Sequence, residues 1–249
     1  MDVTAGGVAL LACAGFAGGA INAAAGGGTL VTFPALLAVG LSPLSANVTN
    51  TVGLSPGYLG GAVGHQRTEP LPEIEHRPLA MSAVVGAAVG VALLLVSPST
   101  LFERVAPFLV LIAVVLLLAQ QPILHAMHRR GVSGGPRAVL SAAFIGGAYG
   151  AYFGAALGVL LLALFSITSR AAFPLANAVK TRLAFVINLI AAIAYAVLAP
   201  VEWWAALVVA VSSTGGGYLG GRLARRIPVL ALRLLTAALG AVAFVVLVI

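Results

Sequence analysis

Apolar residues along this chain gather into long runs bounded by short polar or charged connections. Crossing about 30 Å of hydrocarbon takes roughly 20 apolar residues at about 1.5 Å of helical rise each. Six runs have that length: Leu44 to Gly64, Pro78 to Val96, Val105 to Leu124, Phe173 to Leu198, Trp203 to Gly221 and Pro228 to Ile249. Each predicts one spanning helix. Two further runs, Val3 to Leu41 and Ala138 to Thr168, are too long for a single helix and are interrupted by glycine, so each predicts two helical segments. The first break falls at Ala23-Ala24-Ala25-Gly26-Gly27-Gly28-Thr29 and is followed by a short piece, Leu30 to Val39, that contains Pro34. A piece this short cannot cross a bilayer as a helix. Non-helical backbone at that depth persists only where protein or a water-filled cavity satisfies its polar groups, so the breaks point to a site.

The pattern also repeats. A shift of 128 aligns Phe16, Gly18, Gly19 and Gly26 with Phe144, Gly146, Gly147 and Gly154, and a shift of 130 aligns Ala46, Asn47 and Thr51 with Ala176, Asn177 and Thr181. The expected organisation is a first membrane repeat over 1–124, a basic cytoplasmic linker over 125–137 and a second membrane repeat over 138–249. Each repeat has a broken pair followed by three spanning helices.

Composition narrows the class. The chain is 61% hydrophobic and 8% charged over 249 residues, against about 45 to 50% apolar and 25% charged in a soluble domain. The acids Asp2, Glu69, Glu73, Glu75, Glu103 and Glu202 all lie at or near run edges, and the apolar runs carry no carboxylate. The formal net charge of +7 would suggest nucleic acid in a soluble protein. Here most of the basic residues sit in short connections, as the positive-inside bias places them.

That bias puts the loop Arg67 to Arg77, the loop with Arg129, Arg130 and Arg137, the turn with Arg170, and Arg222, Arg225 and Arg226 in the cytoplasm. The connections Leu41-Ser42-Pro43, Ser97 to Arg104 and Ala199-Pro200-Val201-Glu202 fall outside. Equivalent loops then lie on opposite sides, so the halves are expected to be inverted, with each broken pair a re-entrant or hairpin element. The N-terminus lacks a basic region, so the first run is expected to belong to the mature protein. The lone Cys13 makes no internal disulfide.

The fold class expected is therefore an all-α, polytopic helical membrane protein of two inverted-topology repeats in the cytoplasmic (inner) membrane. In such a fold, half-helix N-termini present free N–H groups and a positive dipole end to an anion near the midplane. Gly26, Gly27, Gly28 and Thr29 supply such an end, with glycine allowing close approach and Thr29 a hydroxyl. Asn22 precedes the break, and Asn47, Asn50 and Thr51 share one helical face beyond it. These polar residues are equally explained as interhelical glue.

The equivalent helix carries Asn177, Lys180, Thr181 and Asn188 on one face, with Arg182 nearby. A cation inside an apolar run is costly unless paired or solvated, and an anion is its natural partner; snorkelling to the interface is the alternative. Tyr149 and Tyr152 flank the second break, where a hydroxyl either donates to an oxyanion or anchors the turn. Gly86, Gly90 and the run Gly215 to Gly221 read as helix packing. His65, His76, His125 and His128 sit at helix ends or in loops, where they are expected to be solvated.

The segments Gly26-Gly27-Gly28-Thr29-Leu30-Val31-Thr32-Phe33-Pro34-Ala35-Leu36-Leu37, Ser45-Ala46-Asn47-Val48-Thr49-Asn50-Thr51 and Gly60-Gly61-Ala62-Val63-Gly64-His65 resemble the TauE/SafE sulfite exporter family. The likeness runs over both halves, although the second has Gly154-Ala155-Ala156-Leu157-Gly158 where the family repeats a glycine-rich turn. It implies a secondary transporter for sulfite, sulfoacetate or a related organosulfur anion. An anion channel or a non-transporting scaffold is the alternative. An intramembrane enzyme lacks its parts: no membrane carboxylate, no Cys/His cluster at metal spacing, no Ser–His pair. The partners expected are a small anionic substrate and the lipid bilayer, with homodimerisation allowed, no nucleic acid and no cofactor.

Overall fold

A computed structural model describes residues 4–24, 26–65, 76–130, 135–168, 173–223 and 229–248. Among these the chain forms α1 (Ala5–Ala24), α2 (Thr29–Ala38), α3 (Pro43–His65), α4 (His76–Val96), α5 (Ser99–Arg130), α6 (Gly135–Tyr152), α7 (Leu157–Thr168), α8 (Phe173–Leu198), α9 (Trp203–Leu223) and α10 (Val229–Val248). By length and composition alone, the described parts of four of them, Ala5–Ala24, Arg77–Val96, Ser99–Ala119 and Val179–Leu198, suffice to cross a membrane.

Local chemistry sets the boundaries. Thr4 Oγ1 accepts from Gly7 N at 3.1 Å at the start of α1, satisfying a first-turn amide. The connection expected over Ser97 to Arg104 is shorter: Leu101 N and Phe102 N donate to the Pro98 carbonyl, α5 starts at Ser99, and Phe102 is fully buried. The helix begins early because Phe102 gains a core position. At its other end α5 continues to Arg130, so 125–130 is helical; α6 starts at Gly135 with Pro136 in the first turn, where its missing N–H is harmless.

Element boundaries repeat at the first offset seen in the sequence: the helix end at Ala24 and the start at Thr29 recur at Tyr152 and Leu157. Packing follows the same exchange. The pairs α1·α9, α3·α9 and α2·α10 have the counterparts α6·α4, α8·α4 and α7·α5. Helices α5 and α10 run antiparallel: Gly240 approaches Val114, while Phe244 and Leu247 share a surface hollow with Arg104 and Phe108.

Three seams bring helices far apart in the chain into backbone contact. On α9, Gly216 faces the Phe16 carbonyl of α1 and Gly217 the Gly57 carbonyl of α3; on α4, Gly86 and Gly90 face the carbonyls of Phe144 and Ala148 on α6. A Cβ at any of these four would come within 2.2 Å of a carbonyl oxygen, so these glycines pack helices, as expected. The outer faces expose Met81, Val96, Phe108, Val197 and Val211 at 63 to 78%. In water such a surface is a liability; in hydrocarbon it carries no cost.

Candidate functional site: two helix breaks in contact

Both breaks open with the same device. Gly26 N donates to the Ile21 carbonyl at 2.9 Å, and Gly154 N to the Tyr149 carbonyl at 3.2 Å. Each glycine has a positive φ, 77° and 74°. This is the left-handed residue that closes a helix C-terminus, a conformation that costs other residues about 1 kcal/mol or more. Both broken pairs fold back as hairpins. Gly7 lies against Val39 and Gly18 against Thr32 in the first; Gly146 lies against Leu161 and Gly150 against Leu157 in the second. At Gly28 glycine is required by closeness: a Cβ there would stand 2.0 Å from the Gly18 carbonyl oxygen.

The breaks meet. A Cβ built on Gly26 would lie 3.2 Å from Gly158 Cα and 3.3 Å from Val159 N, and one built on Gly158 would lie 3.6 Å from Lys180 Cδ. The Lys180 stem therefore passes beside the junction, and the residue is buried at 4% exposure. Gly26, Gly27, Gly28 and Thr29 are all buried as well.

A polar chain surrounds the first break. Asn22 Oδ1 accepts from Gly28 N at 2.7 Å. Thr32 Oγ1 donates to Asn50 Oδ1 and lies 3.3 Å from the Gly28 carbonyl. The Gly28 amide must face an oxygen, so Nδ2 is the atom Asn22 leaves over. Nδ2 is buried and has no hydrogen-bond partner among the described residues. A buried unpaired donor costs about 1 to 3 kcal/mol, which an acceptor at that position would recover.

The second break is held from outside itself. Tyr149 Oη donates to the Ala155 carbonyl at 2.7 Å, Tyr195 Oη to the Ala151 carbonyl at 2.5 Å, and Asn47 Nδ2 to the Tyr152 carbonyl at 2.9 Å. Phe153 packs edge-on against Phe33, with ring centroids 5.5 Å apart, and Phe102 lies against both Tyr152 and Phe153.

The sequence-predicted residues thus divide. Asn22, the glycines, Thr29, Asn47, Asn50 and Lys180 gather at the breaks. The Thr51 hydroxyl bonds the Asn47 carbonyl of its own helix at 3.0 Å. Asn188 is buried; its Nδ2 donates to the Ala184 carbonyl at 2.8 Å, and its side chain lies beside Tyr58 of α3. Tyr149 spends its hydroxyl anchoring the turn. The ring of Tyr152 lies in the aromatic cluster, Thr181 is half-buried, and Arg182 is exposed. The side chain of Asn177 lies outside the described residues, as do those of the four histidines and the loops around Arg67 and Arg170.

Sequence reasoning passed over Thr32, one turn beyond Gly28. It also missed Thr236 of α10, fully buried with its methyl 3.8 Å from a Cβ built on Gly27, and Tyr58, which the second repeat offset pairs with Asn188. Thr32 and Tyr58 had legible signals, namely helical spacing and the repeat offset. A hollow of about 750 Å³ lined by Thr100, Glu103, Arg104, Phe108, Phe244 and Leu247 includes no break residue.

Breaks of this kind, inside a helical body with a lipid-compatible surface, define a multi-pass α-helical membrane protein with an internal polar junction. The chain belongs to the sulfite exporter TauE/SafE family, whose model matches residues 11–247. Among curated proteins it is similar to the "Probable membrane transporter protein ORF9" of Sinorhizobium sp, 32% identical over 115 residues, covering 46% of this chain and 44% of that one. It is also similar to a "Probable membrane transporter protein" of Haemophilus influenzae, 32% identical over 111 residues, covering 45% of this chain and 44% of that one. The "Probable membrane transporter protein YfcA" of Escherichia coli K12 is 27% identical over 140 residues, covering 56% of this chain and 52% of that one. The matched stretch thus spans about half the length of each curated relative. No solved structure matches.

Proposed function

We propose that this protein is a secondary transporter carrying a small sulfur-containing anion, such as sulfite or an organosulfonate, across the cytoplasmic membrane by alternating access. The anion sits where the two breaks touch. The observation that carries this reading is the buried Asn22 Nδ2, a donor without a partner among the described residues, beside a junction that also holds Lys180. The Lys180 ammonium supplies the charge, Asn22 an N–H donor, and the N-terminus of α2 its dipole. Family membership supports the sulfur oxyanion.

The two halves act as inverted repeats. The recurring offsets, the exchanged helix pairings and the antiparallel α5 and α10 support that arrangement, because equivalent helices run antiparallel only when one half is turned over.

The test is thermal unfolding of the purified protein with sulfite, sulfoacetate, chloride and a neutral solute. A ligand at a hundredfold its Kd stabilises by about 2.7 kcal/mol, or about 5 to 10 °C in Tm for a chain of this size. Sulfur oxyanions are expected to give that shift and the neutral solute none. A non-transporting scaffold predicts identical curves throughout, and that result would sink the proposal.

A further inference from the structure

The Asn47 amide is oriented by a single bond. Its Nδ2 donates to the Tyr152 carbonyl at 2.9 Å, and turning the amide over would set oxygen against oxygen. The atom left over is therefore Oδ1. Asn47 is 0% exposed, and this oxygen has no hydrogen-bond partner among the described residues. Tyr152 is the last residue of α6, so the free oxygen stands at the negative end of a helix dipole, beside the main-chain carbonyls of the break.

The two asparagines leave opposite atoms unmet. Asn22, at the first break, offers a donor; Asn47, at the second, offers an acceptor. An anion satisfies the first and repels the second. What suits Asn47 is positive charge, and the oxygens around it are neutral: one amide and the peptide carbonyls. The apolar runs hold no carboxylate. Divalent ions rely on carboxylates to offset dehydration, whereas unwound carbonyls and half-helix C-termini are the groups that hold monovalent cations inside membranes.

We infer that Asn47 Oδ1, together with carbonyls at the C-terminal end of α6, binds a monovalent alkali cation close to the anion. The inference rests on the transport reading for its neighbouring anion, and it gives that anion a coupling partner. A doubly charged oxyanion beside Lys180 and one alkali ion leaves the buried site neutral.

The experiment reads cation and anion separately. The full chain is purified and unfolded thermally in sodium chloride or choline chloride at equal ionic strength, each with and without sulfite. Sodium alone is expected to raise Tm over choline, and the half-saturating sulfite concentration to fall about fivefold or more in sodium, since coupling between two ligands is reciprocal. Asn47→Ala is expected to lose the sodium shift while keeping the sulfite shift in choline, and Asn22→Ala to do the reverse. Should Asn47→Ala not fold, Asn47→Asp gives up the bond to the Tyr152 carbonyl but keeps an oxygen and adds charge, so its Tm in choline should fall and its sodium shift should exceed that of the unsubstituted protein.

Equal curves in sodium and choline while sulfite still stabilises would overturn the cation site and leave the anion reading standing; a buried water on Oδ1 predicts that result. A sodium shift that survives Asn47→Ala, or is absent in Asn47→Asp, overturns it too. Loss of the sulfite shift under all conditions counts instead against the transport reading.

Discussion

Contact between the breaks is open to direct test at Gly26 and Gly158. Gly26→Ala meets two independent obstacles. At φ 77° an alanine pays about 1 to 2 kcal/mol for the left-handed conformation. Its methyl would also stand 3.2 Å from Gly158 Cα, inside the separation of about 3.5 to 4 Å preferred by carbon atoms. The opposing atoms are backbone, so relief requires moving α7, and overpacking of that kind costs about 1 to 3 kcal/mol. Together the two terms reach about 2 to 5 kcal/mol.

Gly158→Ala isolates the contact. It has no positive φ, its methyl meets Gly26 Cα at 3.3 Å, and helix propensity returns up to about 1 kcal/mol, leaving a net cost of about 0 to 2 kcal/mol. Gly6→Ala is the control, because nothing lies within 4 Å of its methyl and the substitution gains up to about 1 kcal/mol. Thermal unfolding should rank them Gly6→Ala above the unsubstituted protein, then Gly158→Ala, then Gly26→Ala. Sulfite affinity should fall in both junction variants and hold in the control. If Gly158→Ala matches Gly6→Ala in stability and affinity alike, the breaks do not meet and the site has been misplaced.

Removing the buried charge with Lys180→Ala should weaken sulfite binding about tenfold to a hundredfold, the loss of one charge-assisted hydrogen bond of about 1.5 to 3 kcal/mol, while Arg182→Ala at an exposed position should change it less than about threefold; titration by thermal shift reads both. Tyr149→Phe leaves the Ala155 carbonyl without its donor and should cost about 1 to 3 kcal/mol of stability at unchanged sulfite affinity. A fall in affinity at unchanged stability would instead make that hydroxyl an anion donor.

What could be read from the chain was whatever is written locally. Three glycines in a row end one helix and place the next, and the structure stops α1 at Ala24 and starts α2 at Thr29, inside the stretch the sequence marked. The second break was legible for the same reason, through Gly154 and the offset from Gly26. What escaped was decided across the fold. Nothing near Asn47 announces that its amide will seek a carbonyl 105 residues away. Nor does any spacing reveal that Tyr149 spends its hydroxyl inside its own turn, since the alternatives differ only in where residue 155 lies. Of the α8 residues expected on one face, Lys180 and Asn188 are buried and Thr181 is half-buried, while Arg182, expected nearby, is exposed. Helical spacing gives direction around an axis but not which neighbours stand there.

The glycine seams also bear on which parts can move. They join α9 to α1 and α3, and α4 to α6, so each packed group mixes helices far apart in the chain. Backbone packed against backbone has no side-chain layer to absorb sliding, and such interfaces shift between discrete arrangements or not at all. On the transport proposal, the bodies that move are therefore α1, α3 and α9 as one unit and α4 with α6 as another, not 1–124 against 138–249. Between them lies α8, whose Asn188 stands beside Tyr58 of α3, positions related by the second repeat offset. On the inverted-repeat proposal, a contact between equivalent positions lies on the axis relating the halves and is kept when they exchange roles. Asn47 holding the Tyr152 carbonyl has no such standing: it joins α3 of one unit to α6 of the other off that axis, so a change of access has to break it.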